Sequence, residues 1–187
     1  MIRPPRIEIV AYDRTWPTLF ASERKALEKL LGSLALRVDH VGSTAVPGLA
    51  AKPVIDIQIS VRSLEPRSAY DELLSIRGYV HVPVGEWDRV YPFYQRPAMW
   101  PTTHHVHLCI IGSEQERAHL AFRDFLRDHD QEARAYEALK HQLSESTVGT
   151  SLTERESYSL AKTDFVLAVV SRALAEGYPK NGTNLKN

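Results

Sequence analysis

Cysteine is almost missing. Cys109 is the only one among 187 residues, so no disulfide can form within the chain and a reducing compartment is expected. No stretch approaches the ~20 consecutive apolar residues that a bilayer-spanning helix needs. The opening MIRPPRIEIVAYDRTW lacks the apolar centre of a signal peptide, and the chain is read as cytoplasmic with no membrane partner. Nor is there a surplus of charge. Lys and Arg number 23 and so do Asp and Glu, which leaves no overall field to gather nucleic acid, and no nucleic-acid partner is expected. Any grip on phosphate must be local. A P-loop, a G-x-G-x-x-G turn, zinc-finger spacing and a basic stripe are also lacking, which sets those classes aside.

What is present is an ordinary globular composition, long enough to bury a core without staples. Residues 7–12 read as a short strand. Thr15 can cap a helix over 16–31, with Pro17 in its first turn and Gly32 as its stop. Strands are expected at 34–41, 54–61, 90–96 and 104–111, with a helix from Pro66 to Ile76 closed by Gly78. Beyond Gly112 the pattern turns helical: Ser113 to about His129, Gln131 to Leu143, and Thr153 to Glu176, followed by a frayed tail at 178–187. Strands in the first two thirds and helices in the last predict one α+β domain. Its sheet core spans about 1–111, its C-terminal helices about 113–177, and its helices pack on one face of a mixed sheet.

The most informative stretch is HVGSTAVPGLAAKPVIDIQISV, residues 40–61. Gly42 lets backbone approach a ligand closely. Ser43 and Thr44 offer hydroxyls, the turn can present N–H groups to an anion, and Lys52 adds a cation. On the following strand Val54, Asp56 and Gln58 share one face while Ile55, Ile57 and Ile59 take the other, toward the core.

This run resembles the nucleotidyltransferase signature of a Gly-Ser turn followed by a strand bearing two carboxylates one residue apart. It is still more similar to the GrpB family, through His40, Gly42–Gly48, Lys52–Pro53 and Ile55–Asp56–Ile57. Arg89, the His105–Leu108 strand, the Tyr136–Leu139–Lys140 helix and Tyr158 with Lys162 extend the likeness over nearly the whole chain. The resemblance implies a nucleotidyltransferase-like fold and a small-molecule transferase that binds a nucleotide or other phosphorylated ligand, with Asp56 and His107 as its catalytic residues. It also implies phosphate or ligand contacts at Gly42, Ser43, Thr44, Lys52, Arg89, Lys140 and Lys162, with Mg²⁺ at Asp56. Relatives fused to dephospho-CoA kinase imply a second possibility, a binding or accessory module without chemistry. Gln58 departs from the signature: it stands where the second carboxylate belongs, and an amide brings no charge to a metal. Glu86 or Asp88 would have to swing in.

Histidines give a second clue. His105 and His107 project from one strand face and His104 from the other. With Asp56, and His40 as a further candidate, they could hold a transition metal. Alternatively His107 serves as general base, binds substrate or is structural. His81, His119, His129 and His141 read as surface residues, and Cys109 as inert core. Arg89 either grips substrate or pairs with Glu86 or Asp88, and Lys162 either snorkels or faces the cleft. Trp87, Tyr91, Phe93, Tyr94 and Trp100 pack the sheet or wall a pocket.

Overall fold

Alternation along one strand organises the molecule. Ile55, Ile57 and Ile59 are buried in the main apolar core, while Asp56 and Gln58 turn to the opposite face, as period-two geometry requires. That strand is the second of five in one sheet among the described residues, 7–147 and 151–180 of a computed structural model. The strands are β1 (Arg37–Val41), β2 (Ile55–Val61), β3 (Val80–Val82), β4 (Phe93–Arg96) and β5 (His104–Ile110), in the order β1-β2-β5-β4-β3. Only β2 and β5 run parallel; the other neighbours are antiparallel. The α+β class and the mixed sheet expected from the sequence are both present. The strand β3 was not foreseen. The expected strand at 7–12 reduces to one isolated bridge, Val10 to Ala51.

Among the described residues six α-helices accompany the sheet: α1 (Trp16–Leu31), α2 (Arg67–Ile76), α3 (Glu114–Asp128), α4 (Asp130–Ser146), α5 (Leu152–Leu160) and α6 (Thr163–Ala175). Expected over one face, they divide between two. Trp16, Leu27 and Leu31 of α1 and Tyr70 and Leu74 of α2 join the isoleucine face in the main core. α3 takes the other face through polar contacts: Glu116 is fully buried, its backbone carbonyl accepts from Gln58 Nε2 at 3.4 Å, and its side chain accepts from Ser60 Oγ. The reason is chemical. The Asp56–Gln58–Ser60 face is polar, so the helix that covers it must bring hydrogen-bond partners rather than leucines.

Two further departures position the site. Thr15 makes no side-chain cap, and its N–H donates to Asp13 Oδ1 instead, whereas Ser113 caps α3 as expected, its hydroxyl accepting from Glu116 N at 3.2 Å. The single helix expected over 153–176 is two, because the chain tightens at Ala161–Lys162 into an i→i+3 bond from Lys162 N to Ser159 O. The break lets α5 lean over the sheet while α6 packs Val169 and Ala173 with α3 and α4 in a second core. Tyr178, in the expected frayed tail, is buried in that core and donates from its hydroxyl to Asp128; residues 181–187 lie outside the described residues.

Candidate functional site

Between the polar face of β2 and β5, the 42–54 loop and the α5–α6 break lies a cavity of about 600 Å³. Its floor begins with Gly42, which has φ +69° and ψ −171°. A Cβ built there would fall inside contact distance of Asp56 Oδ2 and 3.0 Å from Asp56 Cβ and Cγ. The close approach foreseen for a ligand is therefore made by the protein's own carboxylate. The loop is held on several sides. Thr44 Oγ1 donates to Val54 O at 3.2 Å, Arg127 Nη2 donates to Ala45 O at 2.8 Å, and Lys140 Nζ donates to Ala50 O. Ser43 and Tyr136 line the cavity together, and the N–H groups of Ala45 and Val46 close the turn internally.

Asp56 Oδ1 accepts from His105 Nδ1 at 3.0 Å, and His105 Nε2 meets Thr102 Oγ1 at 3.0 Å. Burial disfavours the charged carboxylate. The His105 hydrogen bond and the charges of His105 and Lys52 outweigh it and hold Asp56 at about 2. His107 stacks on Tyr91 with ring centres 4.7 Å apart, and its buried Nδ1 has no partner. Burial lowers its pKa to about 4, which leaves the ring neutral at ordinary pH.

Three lysines of the expected set line the same cavity: Lys52, Lys140 and Lys162. Lys162 Nζ lies 4.2 Å and Lys52 Nζ 5.0 Å from the centre of the Tyr158 ring, and Lys140 Nζ lies 4.9 Å from that of Tyr136. Burial lowers all three, Lys140 to about 8 and Lys162 to about 7. The charges of Lys52 and Lys140 push Lys162 further down, and Asp56 opposes them. Tyr158 is 1% exposed, and its hydroxyl finds no partner either.

Some expected residues fall elsewhere. Arg89 is exposed and pairs at 3.8 Å with Glu86, itself exposed, so neither lines the cavity; of the 3₁₀ turn over Gly85–Arg89 it is Trp87, also largely exposed, that reaches the cavity lining. Asp88 is held by Arg67 and His81. His40 shares the core face with Val38 and stacks on Phe20 of α1, 4.6 Å between centres, so it cannot join His105 and His107. Conversely, His119 was read as a surface residue and lines the cavity, its Nδ1 donating to Gln58 Oε1 at 2.9 Å.

The two-carboxylate metal site implied by the resemblance does not fit these residues. Gln58 is fully buried with both ends of its amide committed to α3, Asp56 Oδ1 is taken by His105, and both ring nitrogens of His105 are engaged. Among the described residues no group of three or more His, Cys, Asp or Glu side chains is arranged to hold a metal. Gln58→Glu should therefore not restore a metal site. It should destabilise by about 1–3 kcal/mol, because a carboxylate oxygen would then face the Glu116 carbonyl in a buried place. Urea denaturation checks this; a neutral or stabilising change would contradict it.

Comparison with known proteins places this geometry in context. A family model described as GrpB protein matches residues 6–172. The crystal structure of conserved protein GrpB from Enterococcus faecalis superposes with a TM-score of 0.78 at 32% identity, covering 90% of this chain and 98% of that one. YqkA of Bacillus subtilis is 38% identical over 139 residues, 74% of this chain but only 40% of its own length. A dephospho-CoA kinase of Mycolicibacterium paratuberculosis is 34% identical over 167 residues, 76% of this chain and 41% of the kinase. Among the described residues no helix is long and apolar enough to cross a membrane.

Proposed function

The chain belongs to the GrpB family, and from that premise we propose that its cavity binds a small phosphorylated molecule through Lys52, Lys140 and Lys162. One observation carries the reading. Three ammonium groups meet in a cavity lined by a single carboxylate, Asp56, and that carboxylate is already engaged by His105. Gathering like charges in a desolvated space is unfavourable on its own. A multiply charged anion relieves the repulsion, and phosphate is suited to point-charge lysines. The unpartnered Tyr158 hydroxyl and His107 Nδ1 supply further polar contacts for such a ligand.

Gln58, committed to α3, favours binding without metal-dependent transfer, as in an accessory module. The similarity to a dephospho-CoA kinase makes CoA-type phosphate esters the first ligands to try. A second reading, a transferase, is favoured by His107: its ring lines the cavity and stays neutral at ordinary pH, as a general base must. Thermal melting with pyrophosphate, ATP, CoA and dephospho-CoA, each with and without EDTA, separates these readings. At a hundredfold excess over Kd, a ligand of the native state adds about 2.7 kcal/mol. Stabilisation that persists in EDTA and is lost in Lys52→Met is the expected result. No response to any of these anions, or a response that EDTA abolishes, would overturn the proposal. Product formed by the wild type and not by His107→Gln would establish the transferase reading.

A further inference from the structure

Large apolar side chains stand exposed around the mouth of the cationic cavity. Trp87 is 65% and Leu160 65% exposed, and both line it. Leu167, 60% exposed, lines a second cavity of about 390 Å³. That second cavity shares Gly42, Asp56, His107, Tyr136 and Lys162 with the first, so the two adjoin. The exposed groups come from separate elements: Trp87 from the 3₁₀ turn over Gly85–Arg89, Leu160 from the last position of α5 and Leu167 from α6. Scattered surface leucines need no explanation. A tryptophan and a leucine exposed in the lining of one charged cavity, with a second exposed leucine lining the cavity beside it, do. Inside, the walls are rings: Tyr91, Phe93, Tyr136 and Tyr158. The cavity thus combines three lysines, aromatic walls and exposed apolar side chains.

We infer that the ligand is an amphiphilic phosphate ester whose anionic head sits on the lysines and whose apolar chain leaves between Trp87 and Leu160. The inference rests on the phosphate-binding reading of the same cavity and adds the chemistry of the rest of the ligand. A bare phosphate or a short polar ester leaves the rim in water. An alkyl or acyl chain covers it, and each methylene gains from leaving water, up to about fourfold in affinity when fully buried. At a half-open rim about half of that free energy is realised, close to twofold per methylene.

Titration calorimetry with inorganic phosphate, methyl, butyl and octyl phosphate (below micelle formation) and adenosine monophosphate tests this. Wild-type protein should bind octyl phosphate about fifteenfold more tightly than butyl phosphate, four methylenes at twofold each. The variant Trp87→Ser, Leu160→Ser alters two exposed side chains, so it should fold normally. It should hold inorganic phosphate as the wild type does and lose most of the chain-length gain. Equal affinity for methyl and octyl phosphate, an undiminished gain in the double variant, or a larger gain from the nucleoside than from the octyl chain would each overturn the inference. With inorganic phosphate still bound, those results leave the phosphate site standing. Failure of inorganic phosphate and every ester to bind would instead remove the phosphate site itself.

Discussion

Gly42→Ala is expected to cost about 3 kcal/mol of stability and to abolish anion binding by whatever fraction still folds. Two terms add. Gly42 sits at φ +69° and ψ −171°, a region that is essentially glycine's alone, and holding an L-residue there costs about 1–3 kcal/mol. The added Cβ would also collide with Asp56 Oδ2 and lie 3.0 Å from Asp56 Cβ and Cγ, and overpacking of that kind costs about 1–3 kcal/mol. Asp56 has little room to retreat. Its Oδ1 is tied to His105, His105 to the buried Thr102, and β2 is paired on both sides by β1 and β5. Chemical denaturation gives the first number, and a double-mutant cycle with Asp56→Ala separates the two terms. Removing the carboxylate should recover about 1–2 kcal/mol of the alanine's cost, leaving the backbone strain. A cost unchanged by Asp56→Ala would mean that the glycine is required for the turn alone.

Gly42 also shows how far the sequence could be read. The turn, the strand and the facing of Asp56 and Gln58 follow from small residues and period-two alternation. The object approaching Gly42 does not, because the carboxylate reaches it across the β1–β2 pairing. The Ser113 cap and the apolar spacing of α1 were legible for the same local reason. His119 was not. It lies with Glu116 and Arg123 on the sheet-facing side of α3, at i, i+3 and i+7, where a polar stripe ordinarily signals solvent. The pairing of Gln58 and Ser60 on a β-strand face could have suggested that a polar helix must cover it. Arg89 failed differently. A 3₁₀ turn of five residues decides which of Trp87 and Arg89 reaches the cavity lining, and no periodicity in so short a stretch encodes that. The break before Lys162 carries no glycine or proline to announce it. It follows from two packing demands, Tyr158 over the cavity and Val169 and Ala173 on α3.

Lys162→Met should stabilise the ligand-free protein below pH 7 while weakening anion binding by tenfold or more. Burial first, then the charges of Lys52 and Lys140, bring Lys162 from 10.5 to about 7, with Asp56 opposing. Between pH 7 and 10.5 the unfolded chain therefore holds a proton that the folded chain has released. Stability rises with pH across that window, and below pH 7 the full penalty of the buried charge is present. Methionine fills similar volume without the charge. The lost cation–π contact with Tyr158, about 0.5–2 kcal/mol, offsets part of the roughly 5 kcal/mol that a shift from 10.5 to about 7 represents, leaving a net gain of about 3 kcal/mol at pH 6. That advantage should shrink as pH rises through 7 toward 10.5. Binding runs the other way: a phosphate on the lysines favours their charged forms, so wild-type affinity should fall as pH climbs above 7 and proton uptake should accompany binding. Calorimetry of pyrophosphate in two buffers of different ionisation enthalpy counts those protons, and Lys162→Met should reduce the count. Affinity independent of pH from 6 to 9, or a variant less stable than wild type at pH 6, would show that Lys162 is not the cation the site protonates. A gain in stability matched by a loss of binding would identify Lys162 as a charge kept in an unfavourable place for the ligand it meets there.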